Sequence, residues 1–208
     1  MSPLVFDHLA VAAETLEEGA AEVSATLGVP LAPGGRHPAM GTHNRLLSLG
    51  EAEYLEVIAI DPEAIPPARA RWFGLDGFEG LPRPVGWVLR TDDLDAALGL
   101  APEGIGAPME LTRGDLHWRL TVPESGVTPF DGLFPALIEW EEGEHPARGL
   151  PASGCTLERL ELFHPAAEAL AEALAPLTEE ARIHVHHGPV AQMRAVIATP
   201  HGPRVLGP

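Results

Sequence analysis

The alternation of apolar and polar positions near the start of the chain predicts a strand, a helix and three further strands. Residues 4–12 form a short, mostly apolar run of the length expected for a buried strand. Thr15 precedes a helical pattern with Glu18 three positions later, the spacing of a capping box, and Gly28 with Pro30 ends that helix. A segment with turn residues and two apolar runs, RLLSLG and EYLEVIAID, then supply the three strands.

The same order of elements returns twice along the chain. From residue 84, PVGWVLR predicts a strand, DDLDAALGL a helix, and PMELTR, LHWRLTV and ALIEW three strands. Leu16 aligns with Leu94 at an offset of 78, and the Glu of YLEV aligns with the Glu of LIEW at an offset of 83. A third opening, CTLERLELF, precedes the helix HPAAEALAEALAPL and the runs RIHVHH, AQMRAVIAT and PRVL. We therefore predict an α+β fold of tandem βαβββ units.

The charge balance excludes several classes of partner. The chain has 30 acidic residues against 13 basic ones, a formal net charge of -17, so its field repels phosphate backbones and anionic lipid surfaces. We therefore expect no nucleic-acid or membrane partner. Every basic residue is Arg, and without Lys the chain offers neither a Schiff-base lysine nor a phosphate-binding P-loop.

Several features predict a cytoplasmic location. The single cysteine, Cys155, has no second cysteine with which to form an internal disulfide, which agrees with a reducing compartment. No apolar run approaches the roughly 18 residues that a membrane-spanning helix needs. The N-terminal segment carries acidic residues and lacks the basic region of a secretion signal.

Several motifs together resemble the glyoxalase-like domain of the vicinal oxygen chelate superfamily. They are FDHLAVAAETLEE, GGRHPAMGTHNRLLSLG, YLEVIAIDP, WFGL, VGWVLRTDDL and LIEW, and they cover the chain well from 4 to 142 and weakly beyond. The resemblance implies two paired βαβββ units around a U-shaped cavity, here over residues 1–146, with a third, partial unit over 147–208. In metal-dependent members the first and last strands of each unit supply ligands to a divalent ion, whereas other members sequester a ligand without a metal.

Three residues occupy positions at which such a site would have ligands. His8 is either a ligand or a hydrogen-bonded structural residue, and alternation places it on one face with Phe6 and Ala10. Glu56 interrupts an apolar strand, where a carboxylate is costly unless a metal or an internal salt bridge compensates it. Glu139 repeats this pattern, although a solvated strand end also explains it. If the fold is right, we expect these three side chains to converge on one cavity.

The fourth ligand position departs from the family pattern. The offset of 78 aligns Gly86 with His8, and glycine has no side chain to offer a metal. A divalent metal (Mn, Fe, Mg, Ni or Zn) is possible: a His with two carboxylates would suit Mn, Fe or Mg more than structural Zn, and the site is alternatively vestigial. This alignment predicts weak metal binding and predicts that Gly86→His would strengthen it.

Four further polar residues are predicted to line the cavity and bind substrate. His43 and Asn44 follow a turn into a strand, where they orient a substrate carbonyl or cap backbone groups. His117 and Arg119 share one face of LHWRLTV with Thr121, which suits a cavity wall or a solvated sheet face. In the third unit, His184 and His186 have a spacing that can chelate a metal, but surface exposure is the simpler interpretation.

These observations leave three interpretations of function, the last of which is a purely structural oligomer. The first is a glyoxalase-like enzyme of the lyase, isomerase or dioxygenase type that acts on a carbonyl or oxygen-chelating small molecule. Glu56 and Glu139 would serve it as ligands or general bases. The second is a binding protein that sequesters a small molecule without turning it over. A homodimer is expected as well, because a third unit without an internal partner leaves a face to cover.

Overall fold

The computed structural model describes residues 3–141 and 145–208, so Glu142 of the acidic run after Glu139 lies outside the described residues. The first unit consists of β1 (Val5–Ala12), α1 (Leu16–Leu27), β2 (Ala32–His37), β3 (Thr42–Ser48) and β4 (Tyr54–Ile60). After a 3-10 segment (Trp72–Gly77), the second unit consists of β5 (Arg83–Arg90), α2 (Leu94–Leu98), β6 (Ala107–Arg113), β7 (Leu116–Val122) and β8 (Ala136–Trp140). The third follows a 3-10 turn (Pro146–Gly149) with β9 (Thr156–His164), α3 (Ala167–Leu174), β10 (Ile183–His187), β11 (Gln192–Thr199) and β12 (Gly202–Leu206).

The predicted capping box forms at the start of α1. The Thr15 hydroxyl oxygen accepts the Glu18 backbone N–H at 3.3 Å, and the hydroxyl donates to the Glu18 carboxylate at 2.8 Å. Gly28 ends the helix with φ of 73°, a left-handed conformation that suits glycine. In α2, the Asp93 carboxylate accepts the Ala96 N–H at 2.9 Å and takes the same capping role.

The first two units join into one curled sheet of eight strands, in the order β2-β3-β4-β1-β5-β8-β7-β6. In each unit the first strand pairs in parallel with the last, as β1 does with β4 and β5 with β8, and the units meet where β1 runs antiparallel to β5. The curl brings the outer strands β2 and β6 close to each other. The predicted α+β fold with a sheet-enclosed cavity is therefore confirmed.

The third unit has the predicted order of elements but a different strand pairing. Its sheet has the order β10-β9-β11-β12, and β9 pairs in parallel with β10, the first strand after the helix, instead of with the last strand. This sheet packs against the outer face of the large sheet, where Leu160, Leu162 and Leu170 join one core with Val23 and Trp87. The sequence predicts a homodimer because a third unit without an internal partner leaves an apolar face to cover. In the structure this face is covered within the chain, so that reason no longer holds and the homodimer stays a prediction.

No helix formed by the described residues is long and apolar enough to span a membrane.

The two faces of the large sheet carry different cores. The outer face packs under α1, α2 and the third unit, whereas the inner face carries a second cluster that includes Met40, Trp72, Val88, Trp118 and Ile138. The polar groups described below lie at the inner face.

The shared core predicts that all three units unfold together. Leu162→Ala in β9, at a fully buried position, should lower the free energy of unfolding by about 2 to 5 kcal/mol. The tryptophans all lie before the third unit, so their fluorescence should report the same shifted urea midpoint as circular dichroism. Val205→Ala, at an exposed position of β12, is the matched control and should change little. A fluorescence midpoint that Leu162→Ala leaves unchanged would contradict a shared core.

Candidate active site in the curled sheet

A bulge in β1 places two polar residues on the inner face of the sheet. The register with β5 shifts between Phe6, which lies beside Leu89, and His8, which lies beside Val88. Phe6 therefore packs in the outer core, and the expectation that it shares a face with His8 is wrong because the bulge breaks the alternation. The bulge also lets the neighbouring Asp7 and His8 side chains meet, with Asp7 Oδ1 and His8 Nδ1 2.6 Å apart.

Asp7 is a fully buried carboxylate with four nitrogen partners. Besides His8, it contacts Arg90 NH1 at 3.1 Å, Trp140 Nε1 at 3.1 Å and His145 Nε2 at 3.0 Å. Burial alone would raise the pKa of Asp7, but hydrogen bonds from His145 and His8, together with their charges, hold it well below its ordinary value. Asp7 is therefore ionised and accepts a hydrogen bond from every one of these partners.

This arrangement fixes the proton on His8. Because ionised Asp7 can only accept, Nδ1 of the imidazole carries the hydrogen, and in the neutral ring Nε2 is left with its lone pair. Nε2 lies 3.7 Å from Glu56 Oε1, and the ring stacks on Tyr54 with 4.5 Å between centroids. Burial, followed by the charges of Asp7 and Glu56, raises the pKa of Tyr54 well above its ordinary value. His8 is thus held with a proton-accepting nitrogen next to a second carboxylate.

Glu56 is held by Asn44 and, through it, by the opposite edge of the sheet. Asn44 Nδ2 donates to Glu56 Oε2 at 2.7 Å, while Asn44 Oδ1 accepts from the Gly35 N–H at 2.9 Å and from Arg113 NH1 at 3.3 Å. Arg113 ends β6, so its side chain bridges the two outer strands of the curled sheet. The burial of the Glu56 carboxylate is therefore compensated by a hydrogen bond from the Asn44 amide, which in turn accepts a hydrogen bond from Arg113.

Arg113 also sets the state of His37 at the end of β2. Arg113 NH1 lies 3.1 Å from His37 Nε2, and His37 Nδ1 lies 3.1 Å from Thr42 Oγ1. Burial, followed by the positive charge of Arg113, lowers the pKa of His37 to about 3. His37 is therefore neutral, accepts from Arg113 at Nε2 and donates from Nδ1 to Thr42.

The polar groups and a set of large side chains enclose a small inner cavity of about 30 Å³. Its polar lining is His8, His37, Asn44, Tyr54, Glu56 and Arg113, and its other walls are Trp72, Phe73, Trp118, Leu120, Ile138 and Trp140. The Trp72 Nε1 atom is buried and has no hydrogen-bond partner among the described residues. A cavity of this volume holds one or two water molecules, so a substrate has to displace part of its wall.

The second unit does not repeat the polar residues of the first. At the offset of 78, Gly86 corresponds to His8, and the Phe73 ring fills the space beside it: a Cβ at Gly86 would lie 2.3 Å from Phe73 Cδ1. Ala10 lies beside Glu56, and its counterpart Val88 lies beside Ala136. Ala136, and not Glu139, is therefore the structural counterpart of Glu56.

The predicted metal ligands do not converge. Glu139 lies between Ile138 and Trp140, which line the inner cavity, so its side chain points to the other face of the sheet and accepts from Arg119 at 3.0 Å. Of the three predicted ligands, only His8 and Glu56 line the cavity. No group of three or more His, Cys, Asp and Glu side chains within residues 3–141 and 145–208 is placed to hold a metal ion. The residues present therefore do not fit the predicted His8, Glu56 and Glu139 site.

The four predicted substrate-binding residues also separate between the two faces. Asn44 lines the cavity, but His43 lies beside Ala59 in register, and the side chain of Ala59 belongs to the outer core. His117 and Arg119 form a second, shallow hollow with Glu139, since Trp118 and Leu120 take the inward positions of β7. The polar face of β7 is thus its outer face.

Several residues that form or support the cavity are not among those predicted from the sequence. Asp7, like Glu56, is a carboxylate within an apolar strand, and this pattern is visible in the sequence. Strict alternation, however, places neighbouring residues on opposite faces and so separates Asp7 from His8. His37 and Arg113 sit at strand ends far apart in sequence, and only the curl of the sheet brings them together. His184 and His186 lie on β10 of the small sheet, and Cys155 is buried there, away from the cavity.

Removing the charge of Asp7 should destabilise the protein in a pH-dependent way. Because its pKa is depressed in the folded state, Asp7 contributes stability that is fully present above the unfolded value near 4 and is lost as the pH falls below it. Asp7→Asn should cost about 3 kcal/mol or more at pH 7, since buried donors lose their acceptor, and the cost should shrink in acid. Urea unfolding between pH 7 and pH 3 measures this. Asp95→Asn, in an exposed pair with Arg119, is the control and should cost far less, because water screens an exposed ion pair.

His37 predicts a second pH dependence with its own window. Its folded pKa of about 3 is below the ordinary 6.5, so the unfolded chain gains a proton first and stability falls as the pH drops from 6.5 towards 3. His37→Gln should flatten the stability profile in this window, and the exposed substitution His187→Gln should leave it unchanged. Equal slopes for wild type and His37→Gln would show that His37 is not held neutral.

Comparison with known proteins agrees with this architecture. The family described as "Glyoxalase-like domain" matches residues 6–178. Among solved structures, a hypothetical protein from Staphylococcus aureus has a TM-score of 0.65 and 16% identity, over 90% of this chain and 88% of that chain. A methylmalonyl-CoA epimerase from Streptomyces coelicolor has a TM-score of 0.48 and 20% identity, over 70% of this chain and 100% of that chain. An epimerase of the same name from Mycobacterium tuberculosis has a TM-score of 0.42 and 19% identity, over 67% and 88%.

Among curated proteins, none matches the chain. The family match covers most of the chain, and the curled sheet of paired βαβββ units is the fold that this family implies. The chain therefore belongs to the glyoxalase-like domain family of the vicinal oxygen chelate superfamily.

Proposed function

We propose that the protein is an isomerase- or lyase-type enzyme that moves a proton on the carbon next to the carbonyl group of a small molecule. The observation that carries this proposal is the buried pair of Asp7 and His8. At the inner cavity, Nε2 of His8 lies 3.7 Å from Oε1 of Glu56. An oriented imidazole beside a carboxylate, screened from water, is the arrangement that general acid-base catalysis needs.

The proton transfer balances within the residues of the chain. His8 Nε2 takes the proton from the carbon, the electron pair of the C–H bond moves to form a C=C bond, and the carbonyl electrons pass to oxygen. Asp7 keeps Nδ1–H in place and stabilises the imidazolium that forms. Glu56, whose Oε1 lies 3.7 Å from Nε2, exchanges this proton with the imidazolium, and the imidazolium then protonates the enolate carbon, which restores the C=O bond and the neutral imidazole. Arg113 supplies the positive charge nearest to the developing enolate oxygen.

Of the two carboxylates that the sequence suggests as bases, only Glu56 lines the cavity. Glu56 keeps its role as a base, whereas Glu139, bound to Arg119 on the other face, has none. The isomerase and lyase types need only the residues described above. A divalent ion at this cavity would need ligands beyond His8 and Glu56.

A binding protein without turnover is the second candidate. The aromatic walls formed by Trp72, Phe73, Trp118 and Trp140 favour it, because large aromatic side chains are also the means by which a cavity holds a ligand tightly. The two candidates share the cavity and differ in whether His8 and Glu56 exchange protons with the bound molecule.

Hydrogen exchange in D₂O separates these candidates. We expect the protein to accelerate loss of the C3 proton signals of pyruvate and 2-oxobutanoate in NMR spectra, compared with buffer. His8→Gln and Glu56→Gln should each reduce the acceleration by about 100-fold or more. Glu139→Gln and His43→Gln are the matched controls, as both residues lie outside the cavity, and should keep it. Saturable binding without exchange would favour the binding protein, and equal losses in Glu56→Gln and Glu139→Gln would contradict the proposal.

A further inference from the structure

A second, larger cavity opens beside the site. This outer cleft has a volume of about 440 Å³ and lies between the 72–77 segment, the start of β5, the loop before β8 and the turn between β10 and β11. Its lining includes Phe73, Phe78, Arg83, Val127, Leu133 and Val190. The volume is in the range of sites that hold small organic ligands, whereas the inner cavity holds only water-sized groups.

Phe73 is the wall between the two cavities. Within the described part of the chain it is the single residue that lines both of them. Its ring rests on Gly86, where the missing side chain provides the space that the ring occupies. Displacing this ring would join the outer cleft to His8 and Glu56 without moving any strand of the sheet.

The backbone at Phe73 is strained in its present position. Phe73 has φ of 56° and the following Gly74 has φ of 65°, and a left-handed conformation is sterically unfavourable for a bulky residue such as Phe. The Gly74 N–H donates to the Gly126 carbonyl at 3.0 Å, which holds the segment there. A strained segment with one large apolar side chain is suited to a second position.

The chemistry of the two cavities indicates the ligand. The outer cleft has one cationic and one anionic side chain: Arg83, whose guanidinium lies 4.3 Å from the Phe78 ring centre, and Asp131. Its remaining side chains are uncharged, and apart from Thr128 and Gln192 they are apolar, which favours an uncharged body. The inner cavity offers the unpartnered, buried Trp72 Nε1 and the Arg113 guanidinium, which favour a head group with oxygen acceptors.

We propose that the outer cleft binds the apolar body of the substrate, and that Phe73 swings away from Gly86 to admit the oxygen-bearing head group to His8 and Glu56. This inference rests on the proposed function for the identity of the reacting head. The substrate class is an elongated carbonyl compound, with a 2-oxo acid or similar head and an uncharged aliphatic or aromatic body. Trp72 Nε1 donates to an oxygen of the head.

Calorimetric titration with two 2-oxo acids of different length tests the cleft. We expect 2-oxooctanoate to bind the wild type at least tenfold more tightly than 2-oxobutanoate, because its additional methylene groups are buried. Val190→Asp, at a half-exposed position of the cleft, should abolish this difference, because it places a charge against the additional methylene groups. Val205→Asp, equally exposed but on β12 outside the cleft, is the matched control and should keep it. Equal affinity for both acids in the wild type, or no binding of either, would overturn the proposal.

Acrylamide quenching of tryptophan fluorescence tests the role of Phe73. Phe73→Ala should increase quenching, because it opens the outer cleft onto Trp72, Trp118 and Trp140, whereas Phe78→Ala enlarges the cleft alone and should not. Gly86→Ala should act as Phe73→Ala does, since its Cβ displaces the ring. Unchanged quenching in both Phe73→Ala and Gly86→Ala would show that Phe73 is not the barrier.

The two experiments separate this inference from the proposed function. A chain-length effect that Val190→Asp removes, found without any C3 proton exchange, would support the cleft and contradict the catalytic proposal. Proton exchange with short acids but no effect of chain length would support the catalytic proposal and contradict the cleft.

Discussion

The buried carboxylate of Asp7 is the constraint on which the site depends. An ionised group without access to water is tolerated only if donors surround it, and Asp7 draws its donors from β1 itself, from β5, from the end of β8 and from the segment that enters the third unit. Each of these donors fixes the place of its own element. The same contacts orient His8, so the interaction that stabilises the centre of the sheet also prepares a proton-accepting nitrogen at the cavity.

The pairing of two similar units has produced one polar half-site and one half-site that is apolar except for Arg113 of β6. The first unit supplies His8, Glu56 and Asn44, while the equivalent strands of the second supply Gly86 and Ala136 with Trp118, Ile138 and Trp140 nearby. Phe73 occupies the room that Gly86 leaves. Such asymmetry suits a site that performs proton transfer at one wall and holds the rest of a molecule against the other.

The sequence predicted the fold well because its signals were local and repeated. The capping box at Thr15, the strand runs and the internal repeat all depend on neighbouring residues, and the structure has them. The site was harder to predict because it depends on register. A one-residue bulge moved Phe6 away from His8 and brought Asp7 to it, and a shift of three positions in the second unit put Ala136 where Glu139 was expected. The pairing of Arg113 with His37 depends on closure of the sheet, for which no sequence pattern was available.

The central claim is that Asp7 holds His8 with its hydrogen on Nδ1 and leaves Nε2 as the proton acceptor. Long-range ¹H–¹⁵N NMR of protein labelled at histidine nitrogens measures this directly, with His8→Gln identifying the resonances of His8. At a pH at which the His8 ring is neutral, we predict a protonated Nδ1 and an unprotonated Nε2, and we predict that Asp7→Asn disturbs this arrangement. A neutral ring with its hydrogen on Nε2 in the wild type would contradict the account.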